Sequence, residues 1–500
     1  MRKAKLTGSE RQILANISGV LHANPFSDKR IAADQKIAVF PSQATYTERY
    51  MALVEAIARE VNGLVSAGKG NIQVFEGRDR ALVEELFIYH VYNQHFLRFD
   101  TMIESQIAQG DTPCDIPFAE EVLAMITRFG FTPEDALHYF AVYFQLRRAY
   151  FFILQSIIGR SPCMKSLRES LWNNVVTADI SLYARSLWNR LEDYSTLLLG
   201  ETGTGKGICA RAIGQSGYIP FNRGKKRFAE SFCRAYVYLN LSQNPEQLIE
   251  SELFGHKKGA FTGAVADYDG ALSRCSSYGA ILLDEIGEVT TPVQVKLLNV
   301  LENRAYSPIG SHEKKRFPGR VIAATNRPLD RLRSEKIFRD DFYYRLCSDV
   351  IQVPPLRQRI RENPLELDDL IQHMVKRIVG EQSEDAALTV LDTIRKQVPA
   401  DYAWPGNVRE LEQCIRRILL KRHYEADTIS TPQGDIESRI IAGVRDGSMD
   451  AQKLLSHYCA LLYEKHNSYE VVARYTALDR RTAKKYIDQW YQNSNRRPGA

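Results

Sequence analysis

The residues most able to do chemistry sit near the middle of the chain. Leu197 to Gly207 reads LLLGETGTGKG: three apolar residues, a turn carrying Gly200, Gly203 and Gly205, then Lys206 at the start of a helical stretch. The spacing fits G-x-x-x-x-G-K, in which glycines let backbone N–H groups converge on phosphate oxygens and the lysine adds a point charge. The helix N-terminus behind the loop contributes partial positive charge to the same place. Gly207 stands where a Ser or Thr usually supplies a magnesium ligand, so this stretch alone also fits a plain glycine turn. A second constellation favours the phosphate reading. Ala280-Ile281-Leu282-Leu283-Asp284-Glu285 is an apolar strand ending in two acids. There Asp284 can hold magnesium, and Glu285 can polarise a water for attack on a terminal phosphate. Another strand ends in Ala324-Thr325-Asn326, setting polar side chains beside that phosphate, although Asn326 would also serve as a turn residue.

The elements needed to position these groups are legible around them. Short apolar strands at Ser195–Leu199, Tyr236–Asn240, Ala280–Leu283 and Val321–Ala324 alternate with helical stretches, the pattern of a parallel α/β sheet. From about Pro355 to Tyr424 the chain reads as helical. Upstream, apolar residues recur at helical spacing: Leu53, Ile57, Val61, Leu64; then Leu82, Leu86, Tyr89, Phe96; then Ala136, Phe140, Phe144 and on to Leu154. This predicts an all-α bundle of about 115 residues starting at Tyr46, preceded by about 45 poorly specified, floppy residues. Its aromatic stripe, Tyr139 to Phe152, is either packed core or the wall of a ligand pocket, and helical spacing favours core. His90, His95 and His138, with Glu84, Glu85 and Glu134, invite a metal reading that the spacing does not support: no Glu-x-x-His pair occurs there.

Composition narrows the class. Five hundred residues imply several domains, and a net charge of +6 suits a nucleic-acid contact without demanding one. No apolar run reaches the ~18 residues of a membrane span. The opening MRKAKLTGSERQILANISGV lacks the apolar segment of a signal peptide. Eight scattered cysteines without C-x-x-C pairs argue for a reducing cytoplasm and against zinc or a disulfide framework.

Gly259-Ala260-Phe261-Thr262-Gly263-Ala264, preceded by Glu252-Leu253-Phe254-Gly255-His256, brings in a family. With LLDEIGE, AATN, FRDDFYYRL, PPLRQR and WPGNVRELE in that order, it resembles the AAA+ domain of bacterial enhancer-binding proteins, the activators of sigma-54 RNA polymerase. The likeness covers about Gly159 to Arg422. It implies that Gly200, Glu201, Thr202, Gly203, Thr204, Gly205, Lys206 and Gly207 bind the phosphates of ATP, that Asp284 holds Mg2+ and that Glu285 orients water. It implies that Asn240 restrains that glutamate, that Thr325 and Asn326 sense the nucleotide, and that Arg409 reads it from the lid. Arg339 and Arg345 match arginines that reach a neighbouring subunit's site. The segment Gly259–Ala264 matches the loop that contacts sigma-54, with Phe261 and Thr262 exposed at its tip. Two departures stand out: Gly207 replaces the family's usual glutamate, and the stretch Gly214 to Arg234 is longer than the norm, its basic run RGKKRF reading as a solvated loop with a DNA or partner contact as the alternative.

At the C-terminus, Tyr469 to Ile487 reads as helix, tight turn, helix, with Val472, Ala473 and Leu478 inward. Arg480, Arg481, Thr482, Lys484 and Lys485 crowd the second helix, where they suit phosphates and base edges of duplex DNA. A solvated basic helix is the plain alternative. The expectation is therefore a cytoplasmic, multidomain α/β protein. Its parts are a helical regulatory or sensory domain (1–158), a linker and lead-in (159–195), an AAA+ α/β subdomain (196–354), a helical lid (355–425), a linker (426–447) and a helix-turn-helix (448–500). Its expected work is ATP-driven activation of sigma-54 RNA polymerase by a homo-oligomer, a hexamer in this family, bound to upstream DNA. A DNA-binding regulator with a degenerate ATPase and an AAA+ remodeller of another client are the rival classes.

Overall fold

The computed structural model describes residues 3–41, 45–243, 245–380, 383–423, 436–445 and 449–494. They form two compact units, Met1–Arg395 with Pro399–Arg422, and Lys396–Val398 with His423–Ala500.

The first unit begins with helices α1 (Gly8–His22), α2 (Asp28–Asp34), α3 (Tyr46–Ser66), α4 (Gly77–Gln109), α5 (Ala119–Arg128), α6 (Pro133–Ser156) and α7 (Pro162–Val176). The described residues 3–41 are thus not floppy but carry two helices. Thr7 and Glu10 form a capping box, each side chain accepting from the other's backbone N–H, and α1 buries Leu14, Ile17 and Val20. Thr132 and Asp135 cap α6 in the same way, with Pro133 in its first turn.

Five parallel strands follow: β1 (Thr196–Leu199), β2 (Tyr236–Asn240), β3 (Ala280–Asp284), β4 (Arg320–Thr325) and β5 (Asp349–Gln352), in the spatial order β2-β3-β4-β1-β5. Strands β1, β3 and β4 are buried almost throughout, as expected of a parallel sheet covered on both faces. Alternate residues feed two different cores. Leu198, Leu282, Ile322 and Ala324 join the core of helices α1–α7, whereas Leu197, Leu199, Ile281, Leu283 and Val321 join the core around the helix Thr291–Asn303. The N-terminal helices therefore cover one face of the sheet and share one continuous core with it.

The basic run is exposed from Arg223 to Lys226, as expected of a solvated loop, but the stretch around it is structured. It folds as a small antiparallel hairpin, Phe221–Asn222 against Arg227–Phe228, whose aromatic residues pack on α6. Phe228 stacks on Phe144 at 4.0 Å and on Phe140 at 5.7 Å, and Phe221 meets Phe140 edge-on at 4.8 Å. Two of its four basic residues pair with acids of the N-terminal region: Arg223 with Glu120 at 2.7 Å and Arg227 with Asp115 at 2.9 Å. The sheet is followed by α8 (Leu356–Glu362), α9 (Leu365–Val379), α10 (Glu384–Gln397) and α11 (Asn407–Lys421).

In the second unit, α12 (Ile436–Arg445) lies within the stretch read as a linker, and Ile436 is buried. The polar stretch Thr428 to Gly434 lies outside the described residues. Three further helices, α13 (Ala451–His466), α14 (Tyr469–Thr476) and α15 (Arg480–Ser494), close a small core around Cys459, Val472, Ala483, Ile487 and Trp490. Among the described residues, no helix is long and apolar enough to cross a membrane.

Candidate functional site

The glycine-rich turn follows β1 and opens the helix Lys206–Gly214. Gly203 has φ +81, and a Cβ there would collide with the carbonyl oxygen of Gly406, so the close approach of Gly406 excludes any side chain. The Lys206 ammonium is buried and donates to the carbonyl oxygens of Gly200 (2.8 Å) and Glu201 (3.2 Å). Burial pulls its pKa down, and the charges of Glu285 and Asp284 oppose that shift. A buried ammonium held mainly by carbonyl oxygens at a helix start is the donor chemistry a triphosphate requires, so the residues present fit ATP. Thr204 Oγ donates to the carbonyl oxygen of Glu201 at 2.8 Å, which braces the turn.

Asp284 and Glu285 end β3 beside this lysine. Glu285 adopts a left-handed conformation at φ +55, unusual for a residue with a side chain, and accepts a hydrogen bond from the backbone N–H of Asn326. Burial raises its carboxyl pKa, against the pull of Lys206. Asn326 Nδ2 donates to Thr202 Oγ at 3.2 Å, linking the end of β4 to the glycine-rich turn, while Thr325 Oγ accepts from the N–H of Arg327 at 3.2 Å. A carboxylate pair, a lysine and two strand-end polar residues thus converge. The carboxylate of Asp284 is oxygen-donor chemistry of the kind magnesium takes.

Asn240 lies in register with Asp284 on the neighbouring strand. Its amide oxygen accepts from the N–H and hydroxyl of Ser242, at 2.9 and 2.8 Å, and among the described residues no hydrogen bond joins it to Glu285. The spacing of motifs does not reveal Tyr238, whose hydroxyl reaches Asp284 at 3.2 Å and also bonds Asn240. Nor does it reveal the tie to the lid. Glu201 pairs with Arg357 of α8, and Asn407 of α11 donates to Glu201 (3.1 Å) and to the carbonyl oxygen of Thr202 (3.1 Å). Asn407 stands in the WPGN run, so its signal is visible beside Arg409. The N–H of Arg409 donates to Gly203 at 3.3 Å, and its charge is felt at Lys206. Gly207 is exposed, with open space where a Cβ would stand.

Arg339 pairs with Asp341 at 2.7 Å, and Arg345 Nε donates to the carbonyl oxygen of Leu301 at 3.0 Å. None of their bonds among the described residues involves the glycine-rich turn, Asp284 or Glu285. The Gly259–Ala264 segment forms a loop closed by Gly259 N–H to Ala264 O (2.8 Å) and by the bridge between His256 and Tyr268. Gly259 and Gly263 take φ +81 and +101, Phe261 leans on the His256 ring at 4.9 Å yet stays 37% exposed, and Thr262 is exposed. In the second unit, Arg480, Arg481, Lys484 and Lys485 are exposed on α15, and Asp479 caps that helix by accepting from Arg481 and Thr482.

This arrangement agrees with what the sequence matches. The family described as the sigma-54 interaction domain matches residues 179–352, and an AAA+ ATPase lid domain matches 361–433. The centre of the chain is thus similar to the sigma-54 interaction domain. Relatives of this AAA+ domain include the Nif-specific regulatory protein of Bradyrhizobium diazoefficiens, 39% identical over 52% of this chain and 39% of the relative. The chain is also similar to the DNA-binding transcriptional regulator NtrC of Rhizobium meliloti, 35% identical over 59% of this chain and 54% of the relative. A third is the regulatory protein AtoC of Escherichia coli, 39% identical over 46% of each chain. The chain spans about half the length of the curated relatives it matches.

Proposed function

We propose that this protein is a sigma-54-dependent transcriptional activator that hydrolyses ATP in a homo-oligomeric AAA+ ring, a hexamer as in the family it resembles. Lys206 and the N–H groups of Gly203 to Gly207 bind the phosphates, Glu285 orients the attacking water, and Thr325, Asn326 and Arg409 read the nucleotide. Magnesium accompanying ATP would neutralise charge on the β- and γ-phosphates, with Asp284 as its ligand. Arg339 and Arg345, whose bonds among the described residues do not involve their own chain's site, serve a neighbour's, where an arginine supplied in trans is worth ~10³ to 10⁵ in rate in comparable systems.

The observation that carries this reading is the Gly259–Ala264 loop. Phe261 and Thr262 stand exposed on a loop hinged by two glycines in the left-handed conformation, where a partner can reach them. The partner is sigma-54, and hydrolysis moves the loop so that the closed polymerase–promoter complex is remodelled. Arg480, Arg481, Thr482, Lys484 and Lys485 bind the upstream DNA.

A native gel of the full chain with purified sigma-54, with and without ADP–aluminium fluoride, tests the proposal. A complex formed only with the transition-state mimic supports it. No complex from protein that hydrolyses ATP would redirect the reading to another client.

A further inference from the structure

Asp284 is the carboxylate assigned above to the magnesium that accompanies ATP, and the glycine-rich turn gives it little help. Gly207, at the helix start, carries no side-chain oxygen. The side-chain oxygens of the turn are engaged elsewhere. Thr202 Oγ accepts from Asn326 (3.2 Å), Thr204 Oγ donates to the carbonyl oxygen of Glu201 (2.8 Å), and the Glu201 carboxylate pairs with Arg357. The orientation of Asp284 therefore decides how well this site takes a metal, because a ligand left to swing must be ordered at binding.

Both carboxylate oxygens of Asp284 are held. Oδ1 accepts from the backbone N–H of Glu285 at 3.1 Å, and Oδ2 accepts from the hydroxyl of Tyr238 at 3.2 Å. Each oxygen keeps a second lone pair, so neither bond excludes a metal. Tyr238 lies on β2, at the edge of the sheet, in register with Leu282, while Asn240 is in register with Asp284. Residues two apart on a strand share a face, so the Tyr238 side chain reaches diagonally to the end of the neighbouring strand. That face packs against the helix Lys206–Gly214: Arg211 lies over the Tyr236 ring at 5.7 Å, and a Cβ on Gly214 would stand 2.7 Å from the same ring.

The Tyr238 hydroxyl also bonds Asn240. A hydroxyl has one proton and a carboxylate only accepts, so the proton goes to Asp284 and the phenol oxygen accepts from the Asn240 amide N–H. The other end of that amide, Oδ1, accepts from the N–H and hydroxyl of Ser242. Ser242, Asn240, Tyr238 and Asp284 thus form one chain of hydrogen bonds with a single sense, in which each bond polarises the next. The Tyr238 side chain is 50% exposed, so core packing does not account for its position.

Given the ATPase reading above, on which this inference rests, we propose that Tyr238 is a positioning residue for the metal. Through this chain it fixes the Asp284 carboxylate and thereby sets how much magnesium strengthens nucleotide binding.

The test compares the affinity of the full chain for a fluorescent, non-hydrolysable ATP analogue in magnesium and in EDTA. The ratio of the two measures the coupling between metal and nucleotide. Tyr238→Phe keeps the ring and deletes the hydroxyl. It should bind the analogue about tenfold more weakly than the parent in magnesium, and within about twofold of the parent in EDTA. Tyr236→Phe, one step back on the same face, should match the parent in both. In an Asp284→Asn background, Tyr238→Phe should have no further effect, because the tyrosine acts through the aspartate. Equal weakening in magnesium and in EDTA would mark a packing role, and parental affinity in both would mark an idle hydroxyl. Either result overturns the proposal, as does an effect that persists in Asp284→Asn. Magnesium-independent binding by the parent would also overturn it, while leaving the nucleotide site standing. A parent that binds no analogue under either condition would instead overturn the ATPase reading, and the proposal with it.

Discussion

Gly207 occupies the second position of the helix that follows the phosphate loop, exposed and with no heavy atom within 4 Å of the place a Cβ would take. Glycine there adds backbone freedom to the unfolded chain and no packing to the folded one. Gly207→Ala should raise stability by about 0.5 kcal/mol in denaturant unfolding and leave the affinity for ATP within about threefold. A residue of opposite character is His90. Burial, and secondarily the nearby charge of His95, push its pKa down to about 4 from the ordinary 6.5. The unfolded chain therefore binds the proton first, so this imidazole's contribution is complete above about pH 6.5 and is lost as pH falls toward 4. His90→Gln should flatten the fall in melting temperature over that interval. At this scale the sequence is informative wherever chemistry is contiguous: Lys206, Asp284, Glu285, Asn326 and Arg409 are brought together as their motifs imply. Tyr238 and Arg357 stay hidden because their partners, Asp284 and Glu201, are reached only once strands pair and the lid folds back.

The elements carry two further expectations. The Gly259–Ala264 loop is held at its base by backbone bonds and by the Lys257–Asp267 ion pair (2.9 Å), so a change at its tip should not propagate to the nucleotide. Thr262→Ala should keep ATP turnover within about twofold of the parent while abolishing sigma-54-dependent transcription in a reconstituted assay. The hairpin of Phe221–Asn222 and Arg227–Phe228 depends on aromatic stacking against α6. Phe228→Ala should cost about 3 to 5 kcal/mol in denaturant unfolding and raise amide exchange across the hairpin. The basic run RGKKRF reads as solvated because charge dominates any short window. What that reading misses is that Phe221, Phe228 and Phe232 bracket the run, and that its acidic partners Asp115 and Glu120 lie about a hundred residues upstream. The opening helix is legible in principle, since Thr7 and Glu10 have capping-box spacing and Leu14, Ile17 and Val20 recur every third residue.

For the molecule as a whole, the boundary drawn near residue 158 is a boundary in sequence and not in the core. The chain leaving α6 is tied into the lid: buried Glu366 accepts from the N–H groups of Arg160 (2.8 Å) and Ser161 (3.0 Å) and pairs with Arg359 at 2.7 Å. Removing residues 1–158 would strip one face of the sheet and expose the aromatic face of the hairpin. The remaining fragment should be insoluble or aggregate on gel filtration, in contrast to the full chain. Alternating strand and helix patterns announce the sheet, but no local signal says which neighbour covers each face. The continuous core also has a calorimetric consequence. The N-terminal helices and the ATPase sheet should melt in one transition, because neither can lose its packing alone. A nucleotide bound at Lys206 would then also delay the melting of α7, where Trp172 packs in the shared core, by the same mass action that protects its own site.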